Sequence, residues 1–233
     1  MSAWGNRNVV CVTMSRDAAR QAMKDRILEA TDRLFYGQGI RAVGVDTIAA
    51  EIGISKRTLY NYFPSKDALI VAYLTRRAVP RSIPDRPPLE QILGAFDWLE
   101  RWFASKAFRG CPFVNAVAEI GERAHPATRI AIDQKERRRV AFRDILTRLG
   151  VADPDGLATQ LAILVEGAMA AALVRDDPAM ARAAKSAARV LLTAAGVPEG
   201  GENKAAPEMT ARRRIRKSPS RNETAGRAAT RRR

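Results

Sequence analysis

The sequence predicts an all-α fold, and two observations carry that prediction. From about Asp17 to Leu192, apolar residues recur at the three- and four-residue intervals of a helix face. The segments they form begin at serine, aspartate or proline and several end at glycine, which are helix start and stop signals. With 233 residues and 46% hydrophobic content, the chain has enough apolar material for a substantial core.

Residues 1–15 show no periodicity and are expected to form a disordered extension; Met14, just before the first helical pattern, is an alternative translation start. From Asp17, Ala22, Ile27, Ala30, Leu34 and Phe35 share one face of a helix that Gly37 and Gly39 are expected to end. Two short helices follow in Gly44–Lys66, GVDTIAAEIGISKRTLYNYFPSK. Val45, Ile48, Ala49 and Ile52 give the first its apolar face, and Gly53 stops it. Ser55 is a good N-cap for the second, Lys56 to Asn61, in which only Leu59 is plainly apolar. The exposed remainder offers donors and an aromatic ring on a narrow rod, which suits the major groove.

Pro64 breaks the chain, and Ser65 caps a helix containing Leu69, Ile70, Ala72, Tyr73 and Leu74. A connector with Pro80, Pro84, Pro87 and Pro88 leads to a helix carrying Leu89, Ile92, Leu93, Phe96, Leu99, Trp102 and Phe103. Cys111-Pro112 reads as the next helix start, with Phe113, Val114, Val117 and Ile120 expected to be buried. Pro126 opens a long amphipathic helix to about Leu149, where the charge cluster Lys135 to Arg139 alternates with apolar positions and Gly150 ends the run.

Asp153-Pro154 and Asp177-Pro178 each place a capping carboxylate before proline. The helices they open are rich in small residues on more than one face, so they need a partner. Interior packing within one subunit is one reading. A four-helix interface between two subunits is the other and the one expected, through Leu161, Leu164, Val165, Ala168, Ala172, Ala184, Ala188 and Leu191.

The formal charge is +15, unevenly spread. Residues 1–66 carry ten basic against six acidic side chains, 67–198 nineteen against fifteen, and 199–233 eleven against four. Residues 198–233 are therefore expected to be a disordered basic tail, too poor in large apolar residues to offset its conformational entropy. A chain this basic attracts polyanions, nucleic acid foremost. No apolar run is expected to approach the roughly 18 residues of a membrane span, and NVVCVTM is too short for a signal-peptide core, so a cytoplasmic protein with no membrane partner is expected. Cys11 and Cys111 form no CxxC or CxxH pattern, and His125, the lone histidine, reads as a polar loop residue. With no Ser/His/Asp set and no glycine-rich phosphate loop, neither enzyme activity nor a metal or cofactor is expected.

The run VDTIAAEIGISKRTLYNYFPSKDAL resembles the DNA-binding domain of TetR-family transcriptional regulators. Ile48-Ala49, Gly53-Ile54-Ser55, Thr58-Leu59-Tyr60 and Tyr62-Phe63-Pro64-Ser65-Lys66 carry the likeness, which covers about residues 17–75. Gly44 departs from it, standing where many members have a Ser or Thr cap. The resemblance implies an all-helical homodimer of about nine helices per chain, with a helix-turn-helix domain in 16–64 and a helical ligand-binding and dimerisation domain in 65–197. Two recognition helices would face successive major grooves of a palindromic operator, roughly 34–36 Å apart, until an inducer changes that spacing.

Matched by position, the resemblance gives Arg57 and Tyr60 to base edges and Thr58 to either bases or phosphates. Thr47, Lys56, Asn61, Tyr62 and Lys66 go to phosphates, and the helix starts at Ser55 and Ser65 can also accept them. Tyr60 and Tyr62 would serve equally as packing residues. A ligand site is expected around Phe96, Trp98, Trp102, Phe113 and Val117, positions that also suit plain core. Cys111 follows Gly110 as do the sensing cysteines of some family members. Its helix start and nearby Arg109 favour reactivity, whereas burial would make it inert. The function implied is a repressor released by a small hydrophobic or electrophilic inducer. The alternative is an architectural DNA-binding protein gripping phosphates with the tail's Arg212, Arg213, Arg214, Arg216, Lys217 and Arg231 to Arg233.

Overall fold

A computed structural model describes residues 15–79 and 85–198. The expectations for residues 1–14, for the prolines at 80 and 84 and for the tail from 199 lie outside the described residues. Among those described there are nine α-helices and no strand. They are α1 Arg16–Gln38, α2 Val45–Glu51, α3 Lys56–Tyr62, α4 Lys66–Arg77, α5 Pro88–Phe103, α6 Pro112–Ile120, α7 Pro126–Arg148, α8 Pro154–Arg175 and α9 Ala179–Ala194.

The starts are fixed locally. Ser15, Ser55 and Ser65 accept from the amides of Ala18, Thr58 and Ala68, and Asp153 accepts from Gly156, so each satisfies an otherwise unpaired first-turn donor. Asp177 does the same for Ala179 at 2.8 Å. Gly37 remains helical; α1 ends at Gly39, whose φ of 96° suits glycine and whose N–H bonds to Phe35 C=O.

The helices α1, α2 and α3 form an N-terminal head around Ile27, Leu34, Val45, Ile48 and Leu59. α4 packs on α1 through Tyr73, whose ring meets Phe35 edge-on at 5.7 Å, and also touches α7. It therefore joins the head to a body in which α7, α8, α9 and α5 pack on one another and α6 lies along α7.

Three expectations are corrected here. Val114 is 49% exposed, because α6 turns Phe113 and Ala116 inward instead. α8 is, by length and composition, apolar enough to cross a membrane; its Leu157, Leu161, Val165 and Met169 are buried in a core that α5, α7 and α9 also build. His125 is a buried cap, not a simple loop residue: its Nδ1 accepts from Ala127 N–H at 3.1 Å at the start of α7.

Candidate nucleic-acid interface and ligand cavity

Seven residues of α3 present the polar rod. Leu59 is wholly buried and anchors it, while Lys56, Arg57, Tyr60 and Asn61 are exposed and Thr58 is half-buried. Ser55 is exposed and holds the first turn through Thr58 N–H at 3.0 Å and Thr58 Oγ1 at 2.9 Å. Lys56 reaches back to Asp46 of α2 at 2.9 Å, and that hydrogen bond, with the carboxylate's charge, raises the Lys56 pKa. Both partners are solvent-exposed, so the pair is weak and a phosphate could compete for the ammonium. Thr47 is exposed on α2, and Lys66 is half-buried at the start of α4. Tyr62 is half-buried beneath Arg20 of α1, whose guanidinium lies 5.1 Å from its ring and donates to Asn61 C=O. Arg20 therefore steadies the end of α3, a role its spacing on α1 gave no means of predicting.

The head is tied to the body at several points. Tyr36 Oη accepts Arg109 N–H and donates to Gly110 C=O, both at 2.9 Å. Arg41 N–H donates to Glu119 Oε2 of α6 at 2.8 Å. With Nδ1 of His125 accepting, its proton sits on Nε2, which is buried, lacks a hydrogen-bond partner among the described residues and lies 3.5 Å from Asp67 of α4. Arg77 of α4 forms a two-toothed pair with Asp32 of α1 at 2.5 and 2.8 Å and stacks over Tyr36 with 4.2 Å to the ring centroid.

Between head and body lies a cavity of about 900 Å³. α1 and α4 contribute polar residues such as Asp32, Arg76 and Arg77, and α5, α7 and α8 contribute Leu99, Phe142, Ile145, Val165 and Met169. Four of the expected ligand residues, Trp98, Trp102, Cys111 and Phe113, line it; Phe96 and Val117 do not, Phe96 being packed 1% exposed in the core. Cys111 is buried at the start of α6, with its Sγ 3.1 Å from Lys135 Nζ. The arginines Arg137 and Arg138 also line the cavity, although they belong to the cluster expected to alternate with apolar positions. Arg138 shares a helix face with Gln134, Ala141 and Ile145, but nothing in that spacing marked a cavity. No group of three His, Cys, Asp or Glu residues able to hold a metal ion occurs among the described residues.

The alanine-rich helices use their small faces inside the subunit. Leu161, Val165, Ala168, Ala172, Ala184 and Ala188 are buried within one chain, and Leu164 and Leu191 are half-buried. A different stripe of α8 faces outward, formed by Ile163, 64% exposed, with Gly167, Ala170 and Val174, 85% exposed. Val190 on α9 is likewise 67% exposed. A Cβ placed on Gly167 would meet nothing within 4 Å, so another backbone could approach closely there.

The sequence model for bacterial regulatory proteins of the tetR family matches residues 27–73. A TetR-family transcriptional regulator from Streptomyces coelicolor is 30% identical, with 75% of this chain and 96% of that one covered and a TM-score of 0.69. A protein of Streptomyces avermitilis assigned to the same regulators is 34% identical over 74% of this chain and 97% of its own, with a TM-score of 0.66. Among curated relatives, the HTH-type transcriptional regulator YjdC of Escherichia coli is 25% identical over 186 residues, 76% of this chain and 97% of that protein. An HTH-type regulator of Mycobacterium tuberculosis is 46% identical over 52 residues, and the chain spans only 26% of its length.

Proposed function

The chain belongs to the TetR family of transcriptional regulators, and from that premise we propose a cytoplasmic, homodimeric DNA-binding repressor whose palindromic operator is released by a small hydrophobic or electrophilic inducer. The observation that carries this reading is the shared cavity. α1 of the head and the joining helix α4 wall it on one side and α5, α7 and α8 of the body on the other, so a ligand filling it bears on the helix that joins the two. A ligand that fits one arrangement of α4 better than another shifts the equilibrium between them, and with it the spacing of two recognition helices.

The head corresponds to residues 16–64 and the ligand-binding and dimerisation body to 65–197. Arg57 and Tyr60 are the base-reading side chains, supported by their exposure on α3, with Thr58 beside them. Thr47, Lys56, Asn61, Tyr62 and Lys66 grip phosphates. The partner subunit docks on the outer stripe of Ile163, Gly167, Ala170, Val174 and Val190, apolar positions that the chain itself leaves uncovered.

The electrophilic branch rests on Cys111, a buried thiol that nonetheless lines the cavity with the Lys135 ammonium 3.1 Å from its Sγ. If Cys111→Ser responds to quinones as the unaltered protein does, that branch is wrong. Genome-wide footprinting tests the reading as a whole: protection at one or a few partly palindromic sites is expected, and uniform coverage would instead favour the architectural alternative.

A further inference from the structure

We propose, building on the hydrophobic-inducer branch of that reading, that the cavity selects organic acids: molecules with a flat or extended apolar body and a single carboxylate. The body has a ready surface. Trp98 and Trp102 stack with ring centroids 5.1 Å apart and planes 26° from parallel, and Phe113, Phe142 and Met169 close around the same space. Such a surface takes aromatic or acyl carbon and provides little to orient it.

Orientation comes from charge on α7. Arg138 and Lys135 share one carboxylate, Glu166, with Arg138 Nη1 at 2.6 Å, so the three together keep one positive charge. Arg137, on the same wall, has no carboxylate partner among the described residues; it donates to Gln134 Oε1 at 3.0 Å and to Ala78 C=O at 3.4 Å. The arginines that α1 and α4 bring to the cavity are already matched, Arg33 by Glu51, Arg77 by Asp32 and Arg76 by Glu29 at 3.3 Å. The uncompensated charge is therefore on the Arg137–Arg138 turn of α7.

A neutral ligand would leave the exposed Arg137 charge without a new partner, and a cationic one would meet repulsion. A carboxylate does neither. With Nη2 of Arg137 given to Gln134 and Ala78, its Nε and Nη1 hydrogens remain as donors, and a carboxylate accepting from them gains a charge-assisted hydrogen bond.

The test is isothermal titration calorimetry of the full-length protein with naphthaleneacetate, its methyl ester and naphthylethylamine, repeated with decanoate and methyl decanoate. Each acid is expected to bind about tenfold or more tightly than its ester, with the amine weakest. Arg137→Gln should cut the preference several-fold while leaving the ester's affinity unchanged, the charge left on Arg138 and Lys135 accounting for the remainder, and Arg137→Lys, which keeps the charge without the guanidinium, should restore part of it. The proposal is overturned if an ester or the amine binds as tightly as the acid, if Arg137→Gln weakens acid and ester alike, or if neither acid binds at about 1 mM. Operator release, measured separately by fluorescence anisotropy, keeps the two ideas apart. Acid-selective binding without release upholds the preference and removes the inducer role, whereas release by esters ahead of acids overturns the preference and leaves the inducer role standing.

Discussion

The hydroxyl of Tyr36, in the last turns of α1, lies 2.9 Å from the carbonyl oxygen of Gly110, the residue immediately before Cys111 in the cavity wall. Burial raises the phenol's pKa, outweighing the Arg109 amide hydrogen bond and the Arg77 charge that pull it down. The group therefore keeps its proton at neutral pH and can donate. Tyr36→Phe removes a donor and an acceptor at once, leaving Gly110 C=O and Arg109 N–H to solvent. A drop of about 0.5–1.5 kcal/mol in denaturant unfolding is expected, together with a higher ligand concentration for operator release. Unchanged release would show that coupling runs elsewhere, through Arg77–Asp32 or Arg41–Glu119.

On DNA, Arg57 and Lys66 should separate base reading from grip. Arg57→Ala is expected to cost about 1–3 kcal/mol on the operator and to relax preference at one position, whereas Lys66→Ala weakens all sequences alike. Competition binding against a randomised site reads both effects. Equal weakening on operator and random DNA for Arg57→Ala would remove it from base readout.

The outer and inner faces of α8 make opposite predictions. Ile163→Glu puts a charge on the uncovered stripe and should leave the fold intact while turning the dimer into monomers with weakened operator binding. Leu161→Ala, by contrast, opens a hole in the core of one chain and should cost about 2–5 kcal/mol of stability. Sedimentation velocity combined with thermal unfolding distinguishes them, and a dimer that survives Ile163→Glu moves the interface away from this stripe.

Residues 199–233 hold eleven basic against four acidic side chains. Their deletion should flatten the dependence of log affinity on log salt by nearly one unit for each phosphate that the tail would have neutralised, with base preference retained. An unaltered slope for the truncated protein would mean that the tail does not touch DNA.

The Ser55 cap, the wholly buried Leu59 and the exposed Arg57 of α3 were all legible in the chain, because each depends on residues within about one turn. Cys111 at the start of α6 and the paired Asp-Pro starts were legible for the same reason. The cavity was half legible. Trp98 and Trp102 stood out as aromatics, but Arg137 and Arg138 resembled any solvated charge cluster until α4 and α5 were brought against α7.

What the sequence determined by itself is the order of the nine helices among the described residues and the polar rod of the head, since caps, breaks and apolar periods act along a few residues of backbone. Only the tertiary structure decided which of several small or apolar faces each helix would turn inside the chain. α8 carries Leu161 and Ile163 two residues apart, about 200° round the helix, and periodicity alone ranks neither as the inner one. Packing against α7 and α9 covers Leu161 and leaves Ile163 exposed, and that choice of inner face is the reason the proposed partner surface is the outer stripe.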